Sequence, residues 1–172
     1  MEDHKWLSKE ESDLWIHFLA VSQLVDRLVD QHLRKEFDLS HSDYEILARL
    51  SEAPDRILRM GELANTIFAP KSRLSHQIDR LALLGWVSRK ECPSDGRGVM
   101  AQLTDEGYEL LRVIAPSHVA SVRSYFVDLI PKYRLDCFSE TLATVLKAIP
   151  GGCAVLPPRF IEDQMSVQST PL

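Results

Sequence analysis

The apolar residues of this chain follow a helical period over most of its length. A first helix is predicted over residues 10–36, because apolar side chains recur there at spacings of four and three: Leu14, Phe18, Val21, Val25 and Leu28. Ser8 and Glu11 precede it with the spacing of a capping box, in which each residue bonds the other's backbone.

Shorter stripes of apolar residues predict two further helices with an extended stretch between them. Ser40, with Asp43 three residues later, is expected to cap a helix that ends at Ala53-Pro54. Residues 57–59 favour an extended stretch. Another short helix follows, since Met60, Leu63, Ala64 and Ile67 fall on one helical face.

Residues 70–103 combine one helix with a hairpin. Pro70 suits a helix start and Gly85 a helix end, with Leu74, Ile78 and Leu81 on the buried face. Two strands are predicted at 86–92 and 99–103, joined by the turn-forming run PSDGRG. Helix, turn, helix and hairpin in this order indicate a mainly α fold with a small β-hairpin wing, a winged helix-turn-helix.

The remainder is predicted to be helical and then irregular. Thr104 should cap a long helix, which Pro116 should kink or restart with Ser117 as a second cap, and Pro131 should end it. A last helix is expected over about 135–149. From residue 150 proline, glycine and small polar residues favour a flexible tail.

Composition narrows the class of protein. The chain has 172 residues, 45% of them apolar, which is enough for a buried core. No apolar run approaches the roughly 20 residues that a transmembrane helix needs, and the polar, acidic N-terminus does not resemble a secretory signal. The three cysteines form no CxxC pair, so a disulfide framework or zinc ribbon is not implied. We expect a cytoplasmic protein without membrane contact.

Charge is unevenly distributed along the chain. The net charge is −5, yet residues 54–98 hold eight Lys/Arg against five Asp/Glu, a local excess of +3. A basic segment within an acidic chain is typical of a surface that meets phosphates.

The exposed side of the helix over 70–84 carries the candidate DNA-binding residues. Short polar groups, an imidazole and two cations reach base edges and phosphates at little entropic cost, and they comprise Lys71, Ser72, Arg73, Ser75, His76 and Gln77. Asp79 would repel phosphates, so we expect it to pair with Arg80 or with a residue outside the helix. Arg97 lies between two glycines and is suited to a minor groove, with Asp95 placed to brace it.

A family resemblance adds to this interpretation. Asp95-Gly-Arg97, followed by Leu103-Thr104-Asp-Glu-Gly107, resembles the wing signature of the MarR family, and the motifs SRLS, DRL and LGWV resemble its helix-turn-helix. The resemblance covers about 10–149. It implies a homodimeric regulator of transcription, in many members a repressor released by a small, often aromatic, effector. The implied organisation has an N-terminal dimerisation helix (1–38), a DNA-binding domain (39–107), C-terminal dimerisation helices (108–149) and the tail (150–172).

The effector site is the least specified feature. In similar proteins it lies between the dimerisation helices and the DNA-binding domain, and residues with aromatic rings or imidazoles suit it: Trp15, His17, His41, Tyr44 and His118. Core packing or simple exposure is the alternative for each. No metal-ligand spacing is present, and no cofactor is implied.

The placement of the cysteines bears on whether the chain is a redox-responsive regulator. The peroxide-sensing branch of the family has a cysteine near the start of its first helix, whereas no cysteine here precedes Cys92, which lies near the wing and is itself a candidate for oxidation. A metal- or redox-responsive regulator, or a winged-helix module that binds protein rather than DNA, are the alternatives. The chain contains no nucleophile elbow, P-loop, Rossmann glycines or HExxH, so an enzyme is not expected.

Overall fold

The computed structural model describes residues 6–67, 69–91 and 98–152. Helices dominate these residues, and three short strands form one sheet. The helices are α1 (Lys9–Phe37), α2 (His41–Glu52), α3 (Met60–Thr66), α4 (Lys71–Leu83), α5 (Asp105–Tyr125) and α6 (Lys132–Ala148). The strands are β1 (Ile57–Arg59), β2 (Val87–Glu91) and β3 (Val99–Leu103), and short 3-10 turns cover Pro54–Arg56 and Val127–Leu129.

The sheet has the order β1-β3-β2 and is antiparallel throughout. Leu58 pairs with Ala101, and Val87 pairs with Leu103, so the buried residues of β2 and β3 lie towards the base of the hairpin. The mainly α fold with a small β wing, predicted from the sequence, is confirmed.

Most predicted helix boundaries agree with the structure. Both capping boxes are present: Ser8 with Glu11 opens α1, and Ser40 with Asp43 opens α2. Among the described residues, no helix combines the length and the apolar character that crossing a membrane requires.

The predicted restart at Pro116 is wrong. The helix α5 runs through it without interruption, because its buried residues Leu111, Ile114 and Ser121 lie on both sides of the proline and pack towards α1 and α2. Ser117 does not cap a second helix; its hydroxyl lies 2.8 Å from Nε2 of His32 on α1. The helix also ends earlier than predicted, at Tyr125 rather than near Pro131, which instead precedes α6.

One hydrophobic core joins the second half of α1 to the sheet and the short helices. Leucines from α1, α2, α3 and α4 are fully buried in it, among them Leu33, Leu47, Leu50, Leu63 and Leu81. One side of α4 therefore packs against this core, and its other side is exposed.

Candidate nucleic-acid interface

The helix α4 has the two faces that its sequence predicts. Leu74, Ile78 and Leu81 are fully buried, which fixes the helix on the core. The opposite side of its first two turns is exposed, and it carries Lys71, Ser72, Arg73 and His76. Two cations, a hydroxyl and an imidazole are thus presented together at the N-terminal end of one helix.

An arginine that the sequence analysis did not single out braces this helix from the sheet. The guanidinium of Arg89, on β2, donates to the Ser75 hydroxyl at 2.9 Å and to the Ser75 carbonyl at 3.1 Å. The same guanidinium pairs with the Asp79 carboxylate at 2.8 Å. Asp79 therefore pairs outside its own helix, one of the two predicted possibilities, and its charge is balanced near the exposed face.

Two further side chains of α4 point towards the start of α2. The amide of Gln77 donates to the Ser42 hydroxyl at 2.8 Å, and Arg80 forms an ion pair with Asp43. Asp43 is fully buried, whereas about half of the Arg80 side chain is exposed. Gln77, predicted as a base-reading residue, thus has its amide engaged within the protein.

The base of the wing is held against the end of α4. Gly85 adopts a φ of 78°, and the next amide, of Trp86, donates back to the Leu81 carbonyl, which ends the helix. The Thr104 hydroxyl donates to the Gly85 carbonyl at 2.7 Å and accepts from the Gly107 amide at 3.0 Å. A Cβ on Gly107 would come within 2.1 Å of the Trp86 carbonyl oxygen, which explains the glycine that closes the LTDEG motif.

An open groove of about 610 Å³ lies between α3, the start of α4 and the base of the wing. Its walls carry three cations, Arg59, Lys71 and Arg89, and one carboxylate, Glu62. The wing tip, with the predicted DNA contact Arg97, its brace Asp95 and the candidate redox residue Cys92, lies outside the described residues.

Three of the five effector candidates come together where α2 meets α5. The rings of Tyr44 and His118 stack with centroids 4.0 Å apart, and His41 stacks on His118 at 5.5 Å. His41 is held by α1, because its Nδ1 lies 2.7 Å from the Asp26 carboxylate and its amide donates to Asp30 at 2.9 Å. Rings from α2 and α5 thus form an aromatic cluster, which carboxylates of α1 hold from the third side.

Burial sets the protonation of this cluster. Burial, with smaller contributions from the charges of His41 and His32, lowers the pKa of His118 from 6.5 to about 4, so the imidazole is neutral near pH 7. Burial likewise raises the pKa of Tyr44 and that of the neighbouring Glu45. Nδ1 of His118 is buried without a hydrogen-bond partner among the described residues.

Trp15 and His17 are not part of the cluster. Both are exposed on the first half of α1, where Trp15 stacks on Phe18 with centroids 6.1 Å apart. Eleven residues separate Trp15 from Asp26, which is about 16 Å of helix. Within the described part of the chain, no group of three or more His, Cys, Asp or Glu side chains is arranged to hold a metal ion.

The sequence predicts which side of α4 is exposed, but it does not predict the roles of Arg89 and Asp43 in holding that helix. Arg89 was counted only as local positive charge, and Asp43 only as a helix cap. The available signal was the spacing of Ser75 and Asp79, four residues apart and on one side of α4, which suits a single guanidinium. No comparable signal links Asp43 to Arg80, which are distant in sequence and meet only through the fold.

Comparisons with known proteins point to one family. A model of the MarR family matches residues 37–98. The HTH-type transcriptional regulator PecS of Dickeya dadantii is 35% identical over 133 residues, which are 76% of this chain and 74% of PecS.

Two solved structures from Streptomyces coelicolor are also similar. One is the MarR family transcriptional regulator Sco3205 in complex with DNA, with a TM-score of 0.81 and 38% identity over 91% of this chain and 98% of that one. The other is the MarR family transcriptional regulator AbsC, with a TM-score of 0.77 and 40% identity over 84% and 97%. The chain therefore belongs to the MarR family, whose members are winged-helix regulators of transcription and not enzymes.

Proposed function

We propose that this regulator binds a pseudopalindromic operator as a homodimer and represses transcription from the cytoplasm. The observation that carries the proposal is the exposed N-terminal half of α4. Lys71, Ser72, Arg73 and His76 face outward there, while the opposite side is fixed in the core. A rigid helix with cations and short hydrogen-bonding groups at its free end has the chemistry to enter a major groove.

Each residue in this face has a distinct proposed role. Arg73 is suited to a bidentate contact with guanine, whereas Ser72 and His76 suit single contacts with bases or backbone. Lys71, at the edge of the groove beside Arg89, is placed for a phosphate. We propose that Arg97, braced by Asp95, enters the adjacent minor groove, a role that rests on the sequence alone.

The dimer is proposed because two helices, α1 in its first half and α6, have large apolar side chains exposed. Large apolar side chains are exposed along the first half of α1 and along α6, including Leu14, Phe18, Phe138 and Leu142. An apolar patch of this kind marks an interaction surface. A second copy fits best, because two copies related by a twofold axis would present two α4 helices to two half-sites.

A small effector is proposed to act at the cluster of His41, Tyr44 and His118. The cluster lies where α2, which belongs to the DNA-binding domain, meets α1 and α5. A planar aromatic molecule inserted there would have to separate α2 from α5, and a dimer with altered spacing would no longer match the two half-sites. Trp15 and His17, on the exposed part of α1, would join such a site only across the dimer.

DNA binding is tested by fluorescence anisotropy with the purified chain and the DNA upstream of its own gene. We expect saturable binding that survives excess unrelated DNA. The logarithm of the affinity should fall linearly with the logarithm of salt concentration, by about 0.9 for each phosphate contact. Binding that unrelated DNA abolishes, or a flat salt response, would contradict the proposal and favour a protein-interaction module.

A further inference from the structure

The helix α4 is attached to the rest of the domain by two kinds of contact. Leu74, Ile78 and Leu81 bury it in the core, but apolar contacts are non-directional and tolerate small rotations. Gln77 and Arg80 instead make polar contacts with Ser42 and Asp43, at the start of α2. Hydrogen bonds and ion pairs have strict geometry, so this pair of contacts, called here the α2–α4 clasp, can fix the angle of the helix from the α2 side, as Arg89 does from the sheet.

The ion pair in the clasp is strongly constrained by burial. Asp43 is fully buried, and one carboxylate oxygen accepts from the amide and hydroxyl of Ser40 as well as pairing with Arg80. Its other oxygen has no hydrogen-bond partner among the residues described. A buried carboxylate with so few partners depends on its cation, because an unpaired buried charge is costly. Asp43 therefore holds the Arg80 guanidinium in place.

The support behind the clasp is itself fixed. The first turn of α2 is tied to α1 by the bond from the His41 amide to Asp30, and Arg34 bonds Asp30 in turn at 2.6 Å. The Ser40 and Asp43 capping box closes the same turn. Arg80 and Gln77 are thus anchored to a turn that cannot follow α4 if that helix tilts.

The clasp lies behind the proposed DNA-reading residues. Nine residues separate Lys71 from Arg80, which is about 13 Å of helix. A tilt of about 5° at Arg80 would move the free end of α4 by about 1 Å over that length. Base-edge hydrogen bonds tolerate less displacement than this, since a functional site must be held within about 0.5 Å.

We infer that Asp43 and Arg80, assisted by Ser42 and Gln77, are positioning residues that aim α4 at the operator without touching DNA. This inference rests on the proposed DNA-binding function. It also assigns Gln77 to positioning the helix, rather than to the base contact that the sequence suggested. Arg80 is half exposed and cationic, so a direct phosphate contact is the alternative that the experiment has to separate.

Asp43→Asn separates the two roles because they predict opposite signs. Asn keeps the volume and the capping oxygen but removes the charge that holds Arg80. If Arg80 binds phosphate, removing a nearby negative charge and releasing the guanidinium should tighten DNA binding. If the clasp aims the helix, Asp43→Asn should weaken operator binding at least fivefold.

The full experiment compares Asp43→Asn, Arg80→Gln and the double variant by anisotropy, on the operator fragment and on unrelated DNA across a salt series. We expect each single variant to lose at least fivefold in the ratio of operator to unrelated affinity, with the salt slope unchanged. The double variant should be no worse than either single one, because both remove the same contact. A variant that is only less stable has fewer folded molecules, but those molecules keep the wild-type ratio of operator to unrelated affinity.

Glu11→Gln is the matched control, since Glu11 has the same capping-box position in α1 and pairs with no arginine in the described part of the chain. It should leave the ratio unchanged. Ser42→Ala decides if the Asp43 and Arg80 variants do not fold, because it removes the Gln77 contact and leaves the buried ion pair intact; it should lower the same ratio. If Arg80→Gln reduces the salt slope by about 0.9, Arg80 is a phosphate contact and the inference is overturned. Unchanged or tighter operator binding by Asp43→Asn would overturn it as well. A wild-type chain that does not prefer its operator would instead refute the proposed function, and this inference with it.

Discussion

The DNA-binding domain buries its apolar side chains, whereas the first half of α1 and the helix α6 leave theirs exposed. Between α2 and β3 the apolar residues close on one another, and Leu47, Leu63, Leu74 and Leu81 are all fully buried within a single copy. In α6, by contrast, no residue is buried, and Leu14 on α1 is 71% exposed. Residues of α1 and α5, among them Leu33 and Ile114, complete the core of the domain within the same copy, whereas the first half of α1 and α6 leave large apolar side chains exposed. A contrast of this kind separates the part that presents a surface to DNA from the part that we propose brings two copies together.

The largest expected effect breaks the closed domain. Leu47→Ala should lower the free energy of unfolding by about 2–5 kcal/mol, because it leaves a cavity in a fully packed site. Leu83→Ala is the matched control, since the Leu83 side chain is 89% exposed, and it should stay within about 0.5 kcal/mol of the wild type. Urea unfolding followed by circular dichroism measures both. An equal loss of stability in the two variants would contradict the burial of Leu47 in the core.

The next effect concerns the exposed apolar side chains of α6. Leu142→Glu should give a monomer in analytical ultracentrifugation, because a charge would enter the proposed interface between copies. Operator affinity should fall by about 100-fold or more, since the second half-site no longer adds to the first. Circular dichroism should remain that of the folded chain, and the exposed Lys147→Gln should change none of these. A Leu142→Glu variant that stays dimeric would place the interface elsewhere.

A smaller effect separates the exposed face of the domain from its core. Arg73→Ala should cost about 1–3 kcal/mol in operator binding and relax base preference at one position, while the free energy of unfolding stays the same. Competition binding with operators changed one base pair at a time measures this. Arg112→Ala, an exposed arginine paired with Glu109 on α5, should leave binding unaltered. Equal loss on every operator would make Arg73 a phosphate contact instead.

The smallest effect lies at the junction between the two regions. The pKa of His118 is about 4 in the folded chain and 6.5 as the ordinary value, so the unfolded chain binds more protons between these pH values. The free energy of unfolding should therefore fall as the pH falls through this window. His118→Gln should flatten that dependence in thermal melts, whereas His17→Gln, at an exposed position, should not. An unchanged slope in His118→Gln would remove this histidine from the buried cluster.

Local signals explain what the sequence could predict. Periodicity, the two serine caps and the glycine after α4 give the order of the elements and the outward face of that helix, because each depends on residues only a few positions apart. Arg89 on Asp79, and Arg80 on Asp43, are long-range contacts that depend on how the sheet and α2 pack beside α4.

Pro116 illustrates a limit of local rules. Proline in a helix costs about 3 kcal/mol, and on that ground the sequence predicts that Pro116 kinks or restarts α5. Packing of buried residues on either side of Pro116 offsets this cost, and packing is not visible in local sequence. Trp15 and His17 show the same limit for the candidate effector site, since aromatic character alone did not distinguish an exposed position on α1 from the cluster around His118.

The most direct test of the account is a hydroxyl-radical footprint of the purified chain on the DNA upstream of its gene. The account predicts two protected half-sites related by a twofold axis, with centres about 10 base pairs apart or a multiple of that spacing. The account would be contradicted by a single protected patch without symmetry, or by no protection under conditions in which the chain is folded. Either result would mean that two copies do not insert their α4 helices into successive major grooves.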